Sequence, residues 1–131
     1  MSVRLLDTNI VSFLDKRHPL LSKYRQHIDG YQLALAFQTL SELYAWGTLA
    51  NWGERRWHQL DTTLSTIGVI HSDDDICIRW AEIQGIRRAQ LIGVADCWIA
   101  ATALSYGLEF VTHNPSDFAG IPGLIVIAEA P

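Results

Sequence analysis

Val3-Arg4-Leu5-Leu6-Asp7-Thr8-Asn9-Ile10 is the stretch that decides the fold. A short, largely apolar run without alternation reads as a strand buried on both faces. A carboxylate follows it at once, and helical spacing resumes over residues 9–15. The same alternation recurs along the chain. Strand-like runs fall at 33–36, 67–70, 109–112 and 124–127. Helical stretches fall between them at 19–28, 38–49, 52–64, 75–90 and 95–106. Pro19 suits the first turn of its helix, and Gly107 suits the end of the last one. Asn114-Pro115 and Gly120-Ile121-Pro122-Gly123 mark loops between the last strands. Strands alternating with helices of this length predict an α/β fold with a parallel sheet covered by helices. Ligands in such sheets bind outside the carboxyl ends of the strands, so the residues just after strands come first for chemistry.

The length, 131 residues, suits a single domain, 1–131, with a real core. Hydrophobic residues make up 49% and charged residues 18%, which excludes a disordered chain. Ten Lys and Arg against fourteen Asp and Glu leave a formal charge of −4. That disfavours a nucleic-acid binder held by bulk charge. No apolar run is long enough to span a bilayer, and Asp7 interrupts any signal-peptide core. Cys77 and Cys97 form neither a CxxC pair nor a zinc spacing. The expectation is a cytoplasmic domain with reduced thiols and no membrane contact.

Four carboxylates stand out. Asp7 closes the first strand, where either it or Thr8 can also cap the next helix. Glu42 lies in Phe37-Gln38-Thr39-Leu40-Ser41-Glu42-Leu43-Tyr44-Ala45-Trp46. Its neighbours at i+3, i+4 and i+7 are Ala45, Trp46 and Leu49, an apolar face unlike an ordinary solvated position. The alternative is a capping-box glutamate answering Thr39. Asp96 is the only charge in Gly93-Val94-Ala95-Asp96-Cys97-Trp98-Ile99-Ala100-Ala101-Thr102-Ala103-Leu104. The helix dipole favours a first-turn Asp, but a carboxylate facing a core costs several kcal/mol without a partner. Asp117 follows a strand in Thr112-His113-Asn114-Pro115-Ser116-Asp117-Phe118, as a site residue or the cap of a short helix. If these strand ends share one sheet edge, the carboxylates converge, and hard oxygen ligands select Mg²⁺ or Mn²⁺ over zinc.

These segments resemble the PIN-domain ribonucleases, in particular the VapC toxins of toxin–antitoxin systems. The resemblance runs from Leu5 to about Ile127. It is carried by Leu6-Asp7-Thr8-Asn9-Ile10, Ser41-Glu42-Leu43, the Asp96 helix, Val111-Thr112-His113-Asn114, and Asp117-Phe118-Ala119-Gly120-Ile121-Pro122-Gly123-Leu124. It implies a three-layer α/β/α fold with a mostly parallel five-stranded sheet. It implies a Mg²⁺-dependent endoribonuclease, the toxin of a type II system, with catalytic and metal-binding acids at Asp7, Glu42, Asp96 and Asp117. Thr8, Asn9, Thr112 and Asn114 match the family's supporting polar residues. An RNA substrate, a VapB-like antitoxin and a homodimer follow from the same resemblance. The chain departs from the pattern at Ala95, where many relatives carry Asn, and at Arg87-Arg88-Ala89-Gln90, where Arg-Gly is common. The fourth acidic position stays open between Asp117 and the neutral Asn114.

On this reading Asp7 and Asp96 are the main metal ligands. Glu42 holds a metal-bound water or accepts its proton, and Asp117 serves a second ion or an outer water. Lys16-Arg17, Arg55-Arg56 and Arg87-Arg88 are the basic pairs available to steer phosphates; ordinary solvated helix faces are the plainer account of each. His113 borders the proposed site as a loop or RNA-contact residue, while His18, His27, His58 and His71 are scattered. Asp73-Asp74-Asp75 reads as a helix start. The five tryptophans, Trp46, Trp52, Trp57, Trp80 and Trp98, read mostly as core or interface, and Trp46 with Trp52 and Trp57 suits a patch for a partner helix. Two alternatives compete with the enzyme. One is a non-catalytic PIN-like domain that only binds RNA or a partner. The other is a phosphoryl-accepting α/β domain, which would want a Lys after a late strand; none occurs beyond Lys23.

Overall fold

The strand Val3–Leu6 (β1) lies at the centre of the sheet. The computed structural model describes residues 2–86 and 92–130. In chain order the elements are β1, α1 (Thr8–Lys16), α2 (Leu21–Ile28), β2 (Gln32–Ala36), α3 (Phe37–Leu49), α4 (Glu54–Leu64), β3 (Gly68–Ile70), α5 (Asp74–Ile86), α6 (Val94–Tyr106), β4 (Glu109–Val111) and β5 (Val126–Ile127). A single 3-10 turn, Pro115–Phe118, separates β4 from β5. The strands pair in the order β3-β2-β1-β4-β5, and every pairing is parallel.

Alternation along the buried strands builds the core on both faces. Leu5, Ala34, Ala36 and Phe110 face one cluster, with Ile76 and Ile83 from α5 and Ile99, Ala100 and Ala103 from α6. Leu6, Leu35 and Val111 face the other, with Ile10, Val11, Tyr24, Leu43 and Leu60 from α1 to α4. Leu5 pairs with Phe110 and Leu6 with Val111, so adjacent strands deliver matched side chains to each layer. Each fully buried Leu, Ile, Val or Phe among them contributes on the order of 1.5–3 kcal/mol. The result is the three-layer α/β/α arrangement.

Element ends differ from expectation where local bonding wins. The helix expected from residue 19 begins at Leu21, because Pro19 and Leu20 form a turn closed by Leu21 N–H to His18 O. The helix expected from residue 52 begins at Glu54, because Trp52 N–H bonds to Gly47 O and ties the loop to α3. The last strand shortens to Val126–Ile127, and Thr112 leaves β4 while keeping an N–H bond to Ile127 O. Asp73 caps α5, its carboxylate accepting from the Ile76 N–H, as a helix start predicts. The expected end of that helix, at residue 90, and the pair Arg87-Arg88 lie outside the described residues.

The Trp patch needs correction. Trp52 and Trp57 pack edge to face, with centroids 5.2 Å apart, and both are partly buried against the core beneath α1 to α4. A Cβ on Gly47 would lie 2.4 Å from the Trp57 ring and 2.6 Å from the Trp52 ring. The missing side chain is what lets the two rings close against α3. Of the three tryptophans only Trp46 remains well exposed, at 41%. Among the described residues no helix is long and apolar enough to cross a membrane.

Candidate active site

Strand order reverses beside β1: the chain leaves it toward β2 and returns on its other side as β4. That switch point leaves a crevice at the carboxyl ends of β1 and β4. A cleft of about 190 Å³ opens there, lined by Asp7, Thr8, Asn9, Glu42, Trp46, Asp96, Asn114 and Asp117. Asp7 arrives from the end of β1, Glu42 from the second turn of α3 and Asp96 from the first turn of α6. Asn114 and Asp117 come from the loop and 3-10 turn after β4.

Asp7 is 6% exposed and fully engaged on the protein side. Its Oδ1 accepts the Thr8 N–H at 2.8 Å, and its Oδ2 accepts the Thr112 hydroxyl at 2.6 Å. Its backbone carbonyl receives the N–H groups of Ile10 and Val11. Helix capping and cleft lining are therefore the same residue here, not alternatives. Burial pushes the Asp7 carboxyl above the ordinary carboxylate range. The hydrogen bonds from Thr112 and Thr8 pull it back, and the charges of Glu42 and Asp117 push the same way as burial.

Glu42 answers Thr8 instead of Thr39. The Thr8 hydroxyl donates to Glu42 Oε2 at 2.6 Å, and Thr39 Oγ lies 3.0 Å from the same hydroxyl. A carboxylate only accepts, so Thr8 spends its proton on Glu42 and the buried Thr39 hydroxyl donates to Thr8. Gln38 Nε2 adds a 3.3 Å contact to Oε1. The face beyond Glu42 is apolar as expected, yet it does not enter the core: Trp46 is 41% and Leu49 85% exposed.

Asp96 is half-buried, and its i+3, i+4 and i+7 neighbours Ile99, Ala100 and Ala103 are all in the core. Its pKa is pushed up to about 6, first by burial and then by the charges of Asp7, Asp117 and Glu42. Among the described residues nothing positively charged, no Lys, Arg or His, pairs with the four acids of the cleft.

Thr112 lies behind the cleft, not on its wall. It is fully buried, and its Oγ accepts the Asn114 N–H at 3.1 Å while donating to Asp7. Asn9 lines the cleft, and its Oδ1 accepts the His113 N–H at 3.4 Å. His113 departs from expectation. It turns inward, bonding through Nδ1 to the Tyr24 hydroxyl and meeting the Phe13 and Tyr24 rings edge-on. Reading the sequence did not reveal Tyr24, Thr39 or the place of Trp46 in the cleft wall. Thr39 alone carried a signal, its spacing from Glu42.

A family model described as PIN domain matches residues 4–124. The chain belongs to the PIN-domain family. Ribonuclease VapC1 of Haemophilus influenzae strain R2866 is 28% identical to this PIN domain over 127 residues, covering 93% of this chain and 94% of that protein. The tRNA(fMet)-specific endonuclease VapC of Shigella flexneri is 29% identical over 122 residues, covering 92% of each. A chain of the DNA-bound VapBC structure from Salmonella typhimurium superposes with a TM-score of 0.85 at 28% identity, covering 98% of each chain. These likenesses set this PIN domain beside the VapC toxins.

Proposed function

We propose that this PIN domain is a metal-dependent endoribonuclease, the toxin of a type II toxin–antitoxin system, hydrolysing RNA phosphodiester bonds. The observation that carries this reading is the gathering of Asp7, Glu42, Asp96 and Asp117 around one cleft with no described cation to balance them. Nucleases of this family generally use divalent metal ions. The acids lining the cleft fit Mg²⁺ or Mn²⁺, since all their donors are hard carboxylate oxygens and no described His or Cys joins them. As they stand, no three such side chains among the described residues already clasp an ion. Bound there, the ion would lower the pKa of a water and take up charge on the phosphate.

The chain's own residues divide the remaining work. Asp7 and Asp96, which both carry raised pKa values from burial, would be the principal ligands. Glu42, held by the Thr8 hydroxyl, is placed to take the proton of an attacking water. Asp117, on the exposed 3-10 turn, would act through water or at a second ion. Thr8 and Thr112 hold Glu42 and Asp7 in single orientations, and Asn9 and Asn114 offer amide groups to the substrate. The relatives solved as VapBC complexes support a VapB-like antitoxin as partner. A homodimer acting in the cytoplasm completes the proposal.

The test is cleavage of RNA by the purified protein with Mg²⁺ or Mn²⁺, with EDTA, and by Asp96→Asn. We expect cleavage that EDTA stops and Asp96→Asn lacks. An Asp96→Asn protein cleaving at the wild-type rate overturns the reading.

A further inference from the structure

A nuclease whose cleft holds four carboxylates needs positive charge outside that cleft to hold the rest of its polyanionic substrate. Among the described residues Arg4, Arg25, Arg56 and Arg79 are committed to Glu109, Asp29, Asp15 and to Asp75 with Glu82, respectively. Lys16, Arg17, Lys23 and Arg55 have no acidic partner. Two of these, Lys16 and Arg17, end α1 and line a second, polar cleft of about 520 Å³ with Gln59, Thr62 and Thr63. Asp15, also in that cleft, is buried and already neutralised by Arg56 and bonded to the Thr63 hydroxyl, so the cleft is net positive.

The two clefts meet at one contact. Lys16 Nζ, on the basic side, lies 5.9 Å from the ring centroid of Trp46, which lines the acidic side. Trp46 is 41% exposed, an aromatic surface of a kind proteins usually bury. Lys16 lies over the Trp46 ring, and a part-exposed ring carrying an ammonium takes a base by stacking on its uncovered surface and the phosphate by charge.

We propose that Trp46 and Lys16 form a nucleotide subsite that carries single-stranded RNA from the acidic cleft into the basic one. One base stacks on Trp46, its phosphate meets Lys16, and the next phosphate meets Arg17, with Gln59, Thr62 and Thr63 as polar contacts beyond. This rests on the ribonuclease reading and adds the path of the strand. It makes the protein a reader of unpaired RNA, since a base inside a duplex cannot stack on a protein ring.

The test is fluorescence anisotropy of a labelled 12-nucleotide single-stranded RNA on the full chain in EDTA, across a salt series. The RNA is checked on a gel afterwards for integrity. Trp46→Ala should weaken binding by about tenfold or more, and Trp46→Phe should restore most of it. Lys16→Gln with Arg17→Gln should flatten the slope of log affinity against log salt by about 1.4, the share of two phosphates on a single strand. A merely structural role for these residues would leave that slope unchanged. Wild-type affinity and slope in the variants overturn the subsite. So does a change of oligomeric state in Trp46→Ala with RNA binding intact, which would give the ring to a second copy of the chain. If the wild-type protein neither binds nor cleaves RNA, the ribonuclease reading itself fails. Normal cleavage with unaffected variants removes the subsite alone.

Discussion

The Thr112 hydroxyl donates a 2.6 Å hydrogen bond to Asp7 Oδ2 across the point where the strand order reverses. The bond joins the carboxyl ends of β1 and β4, the two walls of the acidic cleft. It also acts against burial, holding down a carboxyl that its surroundings push up. Replacing Thr112 by the isosteric Val strips a buried carboxylate of one of its two donors and the Asn114 N–H of its acceptor. A cost of about 1–3 kcal/mol in denaturant unfolding is expected. Without the lowering bond Asp7 holds its proton to higher pH, so the acid limb of the cleavage profile should move to higher pH. A Thr112→Val protein with wild-type stability and profile would show that the bond does neither.

Asp96 ties stability to pH. Its folded pKa, about 6, lies above the ordinary value of 3.8. The folded state therefore binds the proton more tightly than the unfolded one. Stability that is present below about pH 4 is lost as pH rises through 6. Asp96→Asn cannot ionise. In EDTA it should melt at or above the wild-type temperature at pH 7.5, with the difference shrinking toward pH 4. The same variant should lose at least about a hundredfold in cleavage rate. A melting temperature that falls below wild type at pH 7.5 would remove charge repulsion as the cause.

Asp117 and Asn114 both line the cleft, but only Asp117 brings charge to bear on Asp7 and Asp96. Asp117→Ala should raise the Mg²⁺ or Mn²⁺ concentration at half-maximal cleavage by about 10–100-fold, the range for a residue acting through water. Asn114→Ala should shift it less. Titrating both variants decides the order, and a larger shift in Asn114→Ala makes Asp117 a turn residue only.

Gly47→Ala tests the packing of α3 on α4. Its Cβ would meet two indole rings at 2.4–2.7 Å, and both rings are partly buried against the core. Overpacking of this kind costs about 1–3 kcal/mol. The melting temperature should drop clearly, with RNA cleavage intact at temperatures well below it. An unchanged melting temperature would mean that the rings move aside freely.

Strand-end carboxylates and apolar strand runs are local properties, and they were legible in the chain alone. A run such as Val3–Leu6 has nowhere to go but a two-sided core, and a carboxylate directly after it must lie at the sheet's carboxyl edge. The α/β class and the candidate Asp7 follow from that, whereas Glu42 and Asp96 stand out as lone charges in apolar helical stretches, and Asp117 as a carboxylate in the loop after a strand. Pairing across the sheet is not local, and only the tertiary structure decided it. Thr8 gives its proton to Glu42, not the backbone, because the start of α1 meets α3 34 residues further along the sequence. His113 turns toward Tyr24 and away from the cleft because α2 packs beneath the loop after β4. Trp46 stays in solvent while Trp52 and Trp57 are drawn inward, since only the absent side chain of Gly47 makes room for rings. Composition sees three alike tryptophans; packing separates them, because burial depends on which atoms arrive from elsewhere in the chain.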